Sequence, residues 1–207
     1  MFRILTIDDH EVVRGGVKEL FTPGSATFGE ARSGSEALEL LREQAWDIAV
    51  LDISLGGRSG LDVLGEIREL KPKLPVLILS MHAETQYARR ALKAGANGYI
   101  NKACSRDELR QAIVKVIKGG RYISPSLAEA IAFDLGTTTE NPHEALSDRE
   151  FEVLRLIASG KTVGEIAEQL SLSDKTISTY RRRILDKMDF KTNAELTHYA
   201  IRNGLVE

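Results

Sequence analysis

Short apolar runs recur through the first half of the chain, at residues 4–7, 48–51, 76–79 and 98–100, with a weaker one at 26–31. Between them lie stretches with apolar residues at helical spacing, such as Ala37, Leu38, Leu40 and Leu41, then Leu61, Val63, Leu64 and Ile67. Unbroken apolar runs suit strands covered on both faces. Strands that alternate with helices predict a parallel sheet with helices on either side. Five such pairs end near Lys118, where Gly119-Gly120 breaks the last helix.

The pattern then loosens. A short helix is expected from Ser124, with Pro125 in its first turn, and residues 136–142 form a polar linker. From Ala145 the periodicity is helical only. Three helix starts carry a Ser/Thr-x-x-Glu capping box, at Ser147/Glu150, Thr162/Glu165 and Thr192/Glu195. In each, the hydroxyl can accept from a first-turn amide and the carboxylate can return the bond. Ser173-Asp174 opens a further helix that runs to about Met188. The expected organisation is therefore an α/β domain over residues 1–120, a linker with a short helix over 121–144, and a small all-α four-helix domain over 145–207.

Charge changes this picture only locally. The 207 residues carry a net charge of -2, which gives no overall nucleic-acid signature. Residues 123–145 hold four acids and no Lys or Arg, whereas between Lys175 and Lys187 five bases face the single acid Asp186. Cys104 is the only cysteine, so no disulfide forms within one chain. With an N-terminus unlike a signal peptide and no membrane-length apolar stretch, a cytoplasmic location is expected.

Ligands of open parallel sheets bind at the carboxyl ends of the strands. The polar residues at those ends are Asp8 and Asp9, then Asp52, Ser80 and Lys102. Clustered carboxylates repel one another, and a cation relieves this. Oxygen ligands suit Mg²⁺. A carboxylate beside Mg²⁺ and an ammonium can attack phosphorus and form an acyl phosphate. Taken singly, an Asp at a strand end is more often a helix cap, Lys102 a surface lysine and Tyr99 a core residue. The set in register outweighs those readings.

That set resembles the flavodoxin-like receiver domain of two-component response regulators, over roughly residues 2–120. The resemblance implies that Asp52 is the phosphoacceptor and that Asp9 binds Mg²⁺ directly. It implies that Asp8 helps through water and that the Ser54 carbonyl is a further ligand. Lys102 and Ser80 would contact the phosphoryl group, and Tyr99 would be the aromatic that reorients with Ser80. In one departure, Ser54-Leu55-Gly56-Gly57-Arg58-Ser59-Gly60 stands where the family has Met-Pro, which predicts a looser loop. His82, two residues past Ser80, can sit near the site entrance or be an ordinary exposed loop histidine, and nothing in the sequence marks Cys104 as a reactive thiolate.

In the second half, residues 163–172 and 173–188 read as helix, tight turn, helix. Ile166, Ala167 and Leu170 form one apolar face and Ile177, Ile184 and Met188 the other. Helix-turn-helix proteins set such a second helix in the DNA major groove. Residues 146–206 are similar to the LuxR-type helix-turn-helix domain. Leu146-Ser147-Asp148-Arg149-Glu150, Glu165-Ile166-Ala167, Thr176-Ile177 and Lys187-Met188 are among the residues that carry this likeness. With the receiver, the likeness extends to the NarL/FixJ subgroup. It implies base-facing Ser178, Thr179 and Arg182 on double-stranded DNA. Lys175, Thr176, Arg181, Arg183 and Lys187 are the further contact candidates. It also implies a sensor histidine kinase as partner and a homodimer when phosphorylated. Tyr180 stands where many members have His, and Val163-Gly164 replaces a usual Asn-Lys.

The expected protein is a phosphorylation-switched regulator of transcription rather than an enzyme. Two other classes compete: a Mg²⁺-dependent phosphohydrolase, and a phosphate sink that no longer reads DNA. Against the first, Ile53 and Ser54 follow Asp52, so no second acid stands there as general acid.

Overall fold

A computed structural model describes residues 1–55, 58–81, 84–125, 127–129 and 141–206, without the side chains of 85 and 86. The chain divides into two compact units, Met1–Thr137 and Thr138–Glu207.

In the first unit, β1 (Phe2–Ile7), β2 (Ala26–Ala31), β3 (Ile48–Leu51), β6 (Val76–Ser80) and β7 (Gly98–Asn101) form a parallel sheet of order β2-β1-β3-β6-β7. Helices α1 (Glu11–Glu19), α2 (Gly34–Glu43), α3 (Gly60–Leu70) and α4 (Glu84–Lys93) connect the strands, and α5 (Arg106–Ile117) follows the last. The apolar runs of the strands lie in the core. Ile4, Ile48, Val50, Leu77 and Leu79 of the sheet pack with Ala112, Ile113 and Val116 of α5. The strand order reverses between β1 and β3, so Asp8 and Asp52 follow adjacent strands at the switch point where such sheets bind ligands.

Two features go beyond the sequence pattern. The loop after Asp52 is a small antiparallel hairpin, β4 (Ser54–Leu55) with β5 (Arg58–Ser59). Gly56 and Gly57, on which the looser loop was predicted, lie outside the described residues. The hairpin returns the chain so tightly that a Cβ on Gly60 would stand 1.9 Å from the Asp52 carbonyl oxygen, while the Gly60 amide donates to the Ile53 carbonyl at 2.6 Å. Only glycine allows that approach.

The second feature lies in the segment expected as linker. Tyr122 bridges Gly98 in parallel sense. Its carbonyl accepts from the Tyr99 amide at 3.0 Å, and its own amide donates to the Asn97 carbonyl at 3.1 Å. The linker's first residues are thus built into the sheet's edge. The Ser124 amide further donates to Glu84 Oε1 at 3.2 Å, at the start of α4. Most of the short helix expected from Ser124, like His82, falls outside the described residues.

The second unit holds a 3₁₀ turn (Pro142–Ala145) and helices α6 (Asp148–Ala158), α7 (Val163–Leu170), α8 (Asp174–Met188) and α9 (Asn193–Arg202). All three expected capping boxes are present with both bonds made, and Ser173 caps α8 by accepting from the Thr176 amide. Such a cap contributes about 1 kcal/mol. Helix α7 ends on Ser171 in the left-handed region, at φ 54°, and the Leu172 amide donates back to the Ala167 carbonyl at 2.8 Å. This closes the tight turn into α8. Phe151, Val153 and Leu154 of α6, Ile166 of α7, Ile177 and Ile184 of α8, and Leu196 and Ala200 of α9 form the core. Among the described residues no helix is long and apolar enough to cross a membrane.

Candidate functional site

At the carboxyl edge of the sheet, Asp8 and Asp52 are 1% and 2% exposed. Lys102, carried just beyond β7, places its Nζ 2.8 Å from Asp8 Oδ2 and 2.7 Å from Asp52 Oδ2. One ammonium therefore serves two buried carboxylates. Its position is fixed by its own amide, which donates to the Ser80 carbonyl at 2.8 Å. Asp8 Oδ1 accepts from the His10 amide at 2.9 Å. Asp52 Oδ1, in contrast, is buried and has no hydrogen-bond partner.

The electrostatics follow from this geometry. Burial pushes the Asp52 carboxyl above the usual carboxylate range. Lys102 opposes the shift, Asp8 reinforces it, and the Ser54 amide eases it without satisfying Oδ1. Lys102 is held above its usual value. Burial acts against its charge, but the two carboxylates outweigh burial. Asp8, Asp9, His10 and Asp52 present ligand atoms that all lie within 4.8 Å of one another. An orphaned buried carboxylate oxygen amid hard oxygen donors fits a divalent cation such as Mg²⁺.

Ser80 and Tyr99 are fully buried on neighbouring strands, paired through Ser80 with Asn101 and Ile78 with Tyr99. The Ser80 hydroxyl is hydrogen-bonded to the Tyr99 phenol, whose ionisation burial pushes far up. Tyr99 therefore faces inward. The Ser54 side chain is exposed on the hairpin. Cys104 is half-buried, and burial raises its thiol above the usual range, which disfavours a thiolate.

Sequence reasoning missed Arg14. It is 2% exposed, and its Nη1 donates to the Asp8 carbonyl at 2.7 Å while its Nε pairs with Glu30 at 2.9 Å. The guanidinium thus anchors the backbone that carries Asp8. The signal was available: an arginine between Val13 and Val17 on the buried side of α1.

In the second unit, Ile177, Ile184 and Met188 bury one stripe of α8. Lys175, Ser178, Thr179, Arg182 and Arg183 are exposed away from it. A shallow depression of about 330 Å³ is lined by Lys175, Thr176, Thr179, Tyr180 and Arg183. Arg182 is 86% exposed, and its nearest acid, Asp186, is 3.9 Å away. Two of the expected cations are placed differently. Arg181 donates to Asn193 Oδ1 at 2.6 Å. Lys187 pairs at 2.6 Å with Glu150, the buried carboxylate of the first capping box. Burial alone would raise the Glu150 carboxyl, but Lys187 and Ser147 together hold it below the usual range.

Comparison with known proteins decides what these two sites belong to. The family model of the response regulator receiver domain matches residues 4–114. That of the bacterial regulatory proteins of the luxR family matches residues 144–200. The chain is 36% identical to the response regulator UvrY of Escherichia coli K12, over 99% of this chain and 96% of that one. The chain is a two-component response regulator of the NarL/FixJ subgroup. It is also 35% identical to the response regulator GacA of Pseudomonas protegens, over 100% of this chain and 99% of that one. Among solved structures, a LuxR-family response regulator from Aurantimonas sp. SI85-9A1 is 35% identical with a TM-score of 0.60, covering 65% of this chain and 98% of its own. RcsB of Salmonella enterica serovar Typhimurium, bound to a promoter in the presence of a BeF₃⁻ phosphomimetic, is 25% identical with a TM-score of 0.59. That match covers 96% of this chain and 97% of RcsB. The response regulator described here therefore acts as a transcription factor.

Proposed function

We propose that Asp52 accepts a phosphoryl group from a sensor histidine kinase, and that the change drives homodimerisation and binding of double-stranded DNA. The observation that carries this reading is the pairing state of Asp52. Oδ2 is held by Lys102, Oδ1 is buried without a partner, and the carboxyl sits above its usual range. Asp9, Asp52 and the Ser54 carbonyl would hold Mg²⁺, with Asp8 assisting through water. The ion would supply charge neutralisation at the phosphoryl oxygens.

The chain's own residues do the rest. Asp52 Oδ2 attacks phosphorus, so an O–P bond forms as the donor's bond to phosphorus breaks, and the donor leaves with its electron pair. Lys102, already in place, follows the negative charge outward onto the phosphoryl oxygens. The Ser80 hydroxyl exchanges its Tyr99 partner for one of those oxygens. That exchange is the first movement passed to the rest of the fold.

On the DNA side, Ser178, Thr179 and Arg182 face base edges, while Lys175, Thr176 and Arg183 meet the backbone. Arg181 and Lys187 act at the flanks only by giving up Asn193 and Glu150. The promoter-bound, phosphomimetic-treated RcsB structure supports this reading by likeness.

Intact-mass measurement after incubation with an acyl phosphate and Mg²⁺ tests the acceptor. The wild type should gain one phosphoryl group and Asp52→Ala none. An undiminished adduct on the variant overturns the assignment. Sedimentation of the same samples should show a shift to dimer in the wild type alone.

A further inference from the structure

The residues that follow α5 are tied to both members of the Ser80–Tyr99 pair. Ser80 ends β6, and Glu84 opens α4 four positions later. The Glu84 carboxylate takes Ser124 with both oxygens. Oε1 accepts from the Ser124 amide at 3.2 Å, and Oε2 accepts from the Ser124 hydroxyl. Tyr99, the other member, donates its amide to the Tyr122 carbonyl at 3.0 Å.

We propose that Glu84 and Ser124 form a latch on the linker, closed while Asp52 is bare and opened when Asp52 is phosphorylated. This rests on the reading above, in which a phosphoryl group on Asp52 draws the Ser80 hydroxyl away from Tyr99.

The two ends of this short segment are held differently. Tyr122 is fixed three ways. Its backbone is bonded to Asn97 and Tyr99 at β7, its phenol donates to Glu108 Oε1 at 2.9 Å, and the Lys115 ammonium stands 5.7 Å from its ring centroid. Glu108 and Lys115 both belong to α5. Ser124 is gripped from α4, the helix that Ser80 leads into. Tyr122 is therefore the pivot, and Ser124 is the end that moves.

The hold extends past Ser124. Its hydroxyl oxygen accepts from the Leu127 amide at 3.1 Å, as an N-cap residue does, and Leu127 is buried. Donation to Glu84 orients that hydroxyl with its lone pairs toward Leu127. Once Glu84 lets go, the hydroxyl can rotate, so the cap weakens with the latch.

Opening has a cause in the pocket. Burial pushes the ionisation of the Tyr99 phenol up against the effect of Ser80, and Tyr87, Glu84 and Asp52 add to that push. The carboxylate that grips Ser124 thus also acts on the phenol. A phenol that gives up Ser80 gains most from a charged acceptor. Glu84 turned toward it has less to offer Ser124, and Ser80 drawn toward Asp52 pulls on the start of α4 in the same step. The state of Asp52 is thereby passed to the segment that leads to the second unit.

Amide hydrogen exchange of the full chain reads the latch, with intact mass on the same samples to count phosphoryl groups. Acyl phosphate with Mg²⁺ should speed exchange of the Ser124 and Leu127 amides roughly 10–100-fold, the scale of one hydrogen bond to a charged group. The Tyr122 amide should keep its rate. Glu84→Ala should show the fast rates without any donor, and phosphorylation should add little to them, although Asp52 still takes its phosphoryl group. Glu84→Gln, which keeps a carbonyl for the Ser124 amide, should fall between. Wild-type chain that gains the phosphoryl group with no change at Ser124 and Leu127 overturns the latch, as do wild-type rates in unphosphorylated Glu84→Ala. The underlying reading fails separately: wild-type chain that gains no phosphoryl group strikes the phosphoacceptor role, and the Glu84→Ala rates still decide whether Glu84 holds the linker.

Discussion

The two units handle charge in opposite ways. In the first, Asp8, Asp52 and Lys102 are packed out of water, so two carboxylates share one ammonium and one carboxylate oxygen is left unsatisfied. In the second, Arg182 and Arg183 on α8 stand in solvent, and Lys187 of the same helix meets the buried Glu150 carboxylate. A site that must change state is built under strain. A surface that must meet an extended polyanion is left exposed and uncommitted. The first can be relieved by a small ligand, and the second gains most from counterions released on contact.

The largest expected effect is relief of the strained site. Saturating Mg²⁺ should stabilise the first unit by about 2.7 kcal/mol at 100 times its Kd, and Asp9→Ala should remove most of that gain. Thermal unfolding with and without Mg²⁺ measures it. An equal gain in wild type and Asp9→Ala would mean that the acidic cluster is not where the ion acts.

Next come the exposed cations. Arg182→Ala should cost roughly 1–3 kcal/mol in specific DNA binding and relax preference at one or two base pairs per half-site. Arg183→Ala should weaken specific and non-specific DNA together and reduce the salt slope by about one. Binding-site selection at two salt concentrations separates them. If Arg183→Ala changes the selected motif and Arg182→Ala does not, α8 lies in the groove in another orientation.

Lys187→Ala sharpens the comparison from within the second unit. It leaves buried Glu150 without its cation, and the half-exposed lysine limits the loss to about 1–2 kcal/mol of stability. Chemical denaturation monitored on the second unit should show it. Because the Glu150 carboxyl is held below the usual range, its contribution is present above the ordinary carboxylate pKa and is lost as pH falls through the lowered value. The wild type's advantage over the variant should therefore shrink on acidification.

The smallest effect has the opposite sign. Asp52 is held above the usual range, so the folded state keeps its proton longer than the unfolded one. Metal-free stability of the first unit should fall as pH rises from the ordinary carboxylate range through the raised value, by at most about 1.4 kcal/mol per pH unit for one proton. Asp52→Asn should abolish that slope and be more stable than wild type above it. A variant with an unchanged slope would place the strain elsewhere.

Much of this was readable before any coordinates, for a physical reason. Strand runs, helix spacing and the boxes at Ser147, Thr162 and Thr192 are set by residues within one turn of one another. The acidic cluster was legible because sheet topology alone brings strand ends together. What escaped was fixed at a distance. Lys187 meets Glu150 across 37 positions, and the sequence shows only a lysine on a basic helix. The hairpin after Asp52 depends on Gly60 touching the Asp52 carbonyl, and Arg14 is defined by Glu30 and the Asp8 backbone. Each is a local ambiguity that only packing resolves.

The Tyr122 bridge on β7 has a consequence for association. A parallel sheet ends in two rows of unpaired backbone groups, and such rows invite strands from other molecules. On the β7 side the invitation is withdrawn, since the Tyr99 amide and the Asn97 carbonyl are already taken by Tyr122. Gly98 keeps that seal tight, because any Cβ there would stand 2.6 Å from the Tyr122 carbonyl oxygen. The sheet is thus asymmetric toward its neighbours, with β2 as the border left unpaired among the described residues. Two copies that joined strand to strand would meet at β2, while a Cβ at position 98 would press on the Tyr122 bridge that closes the other border.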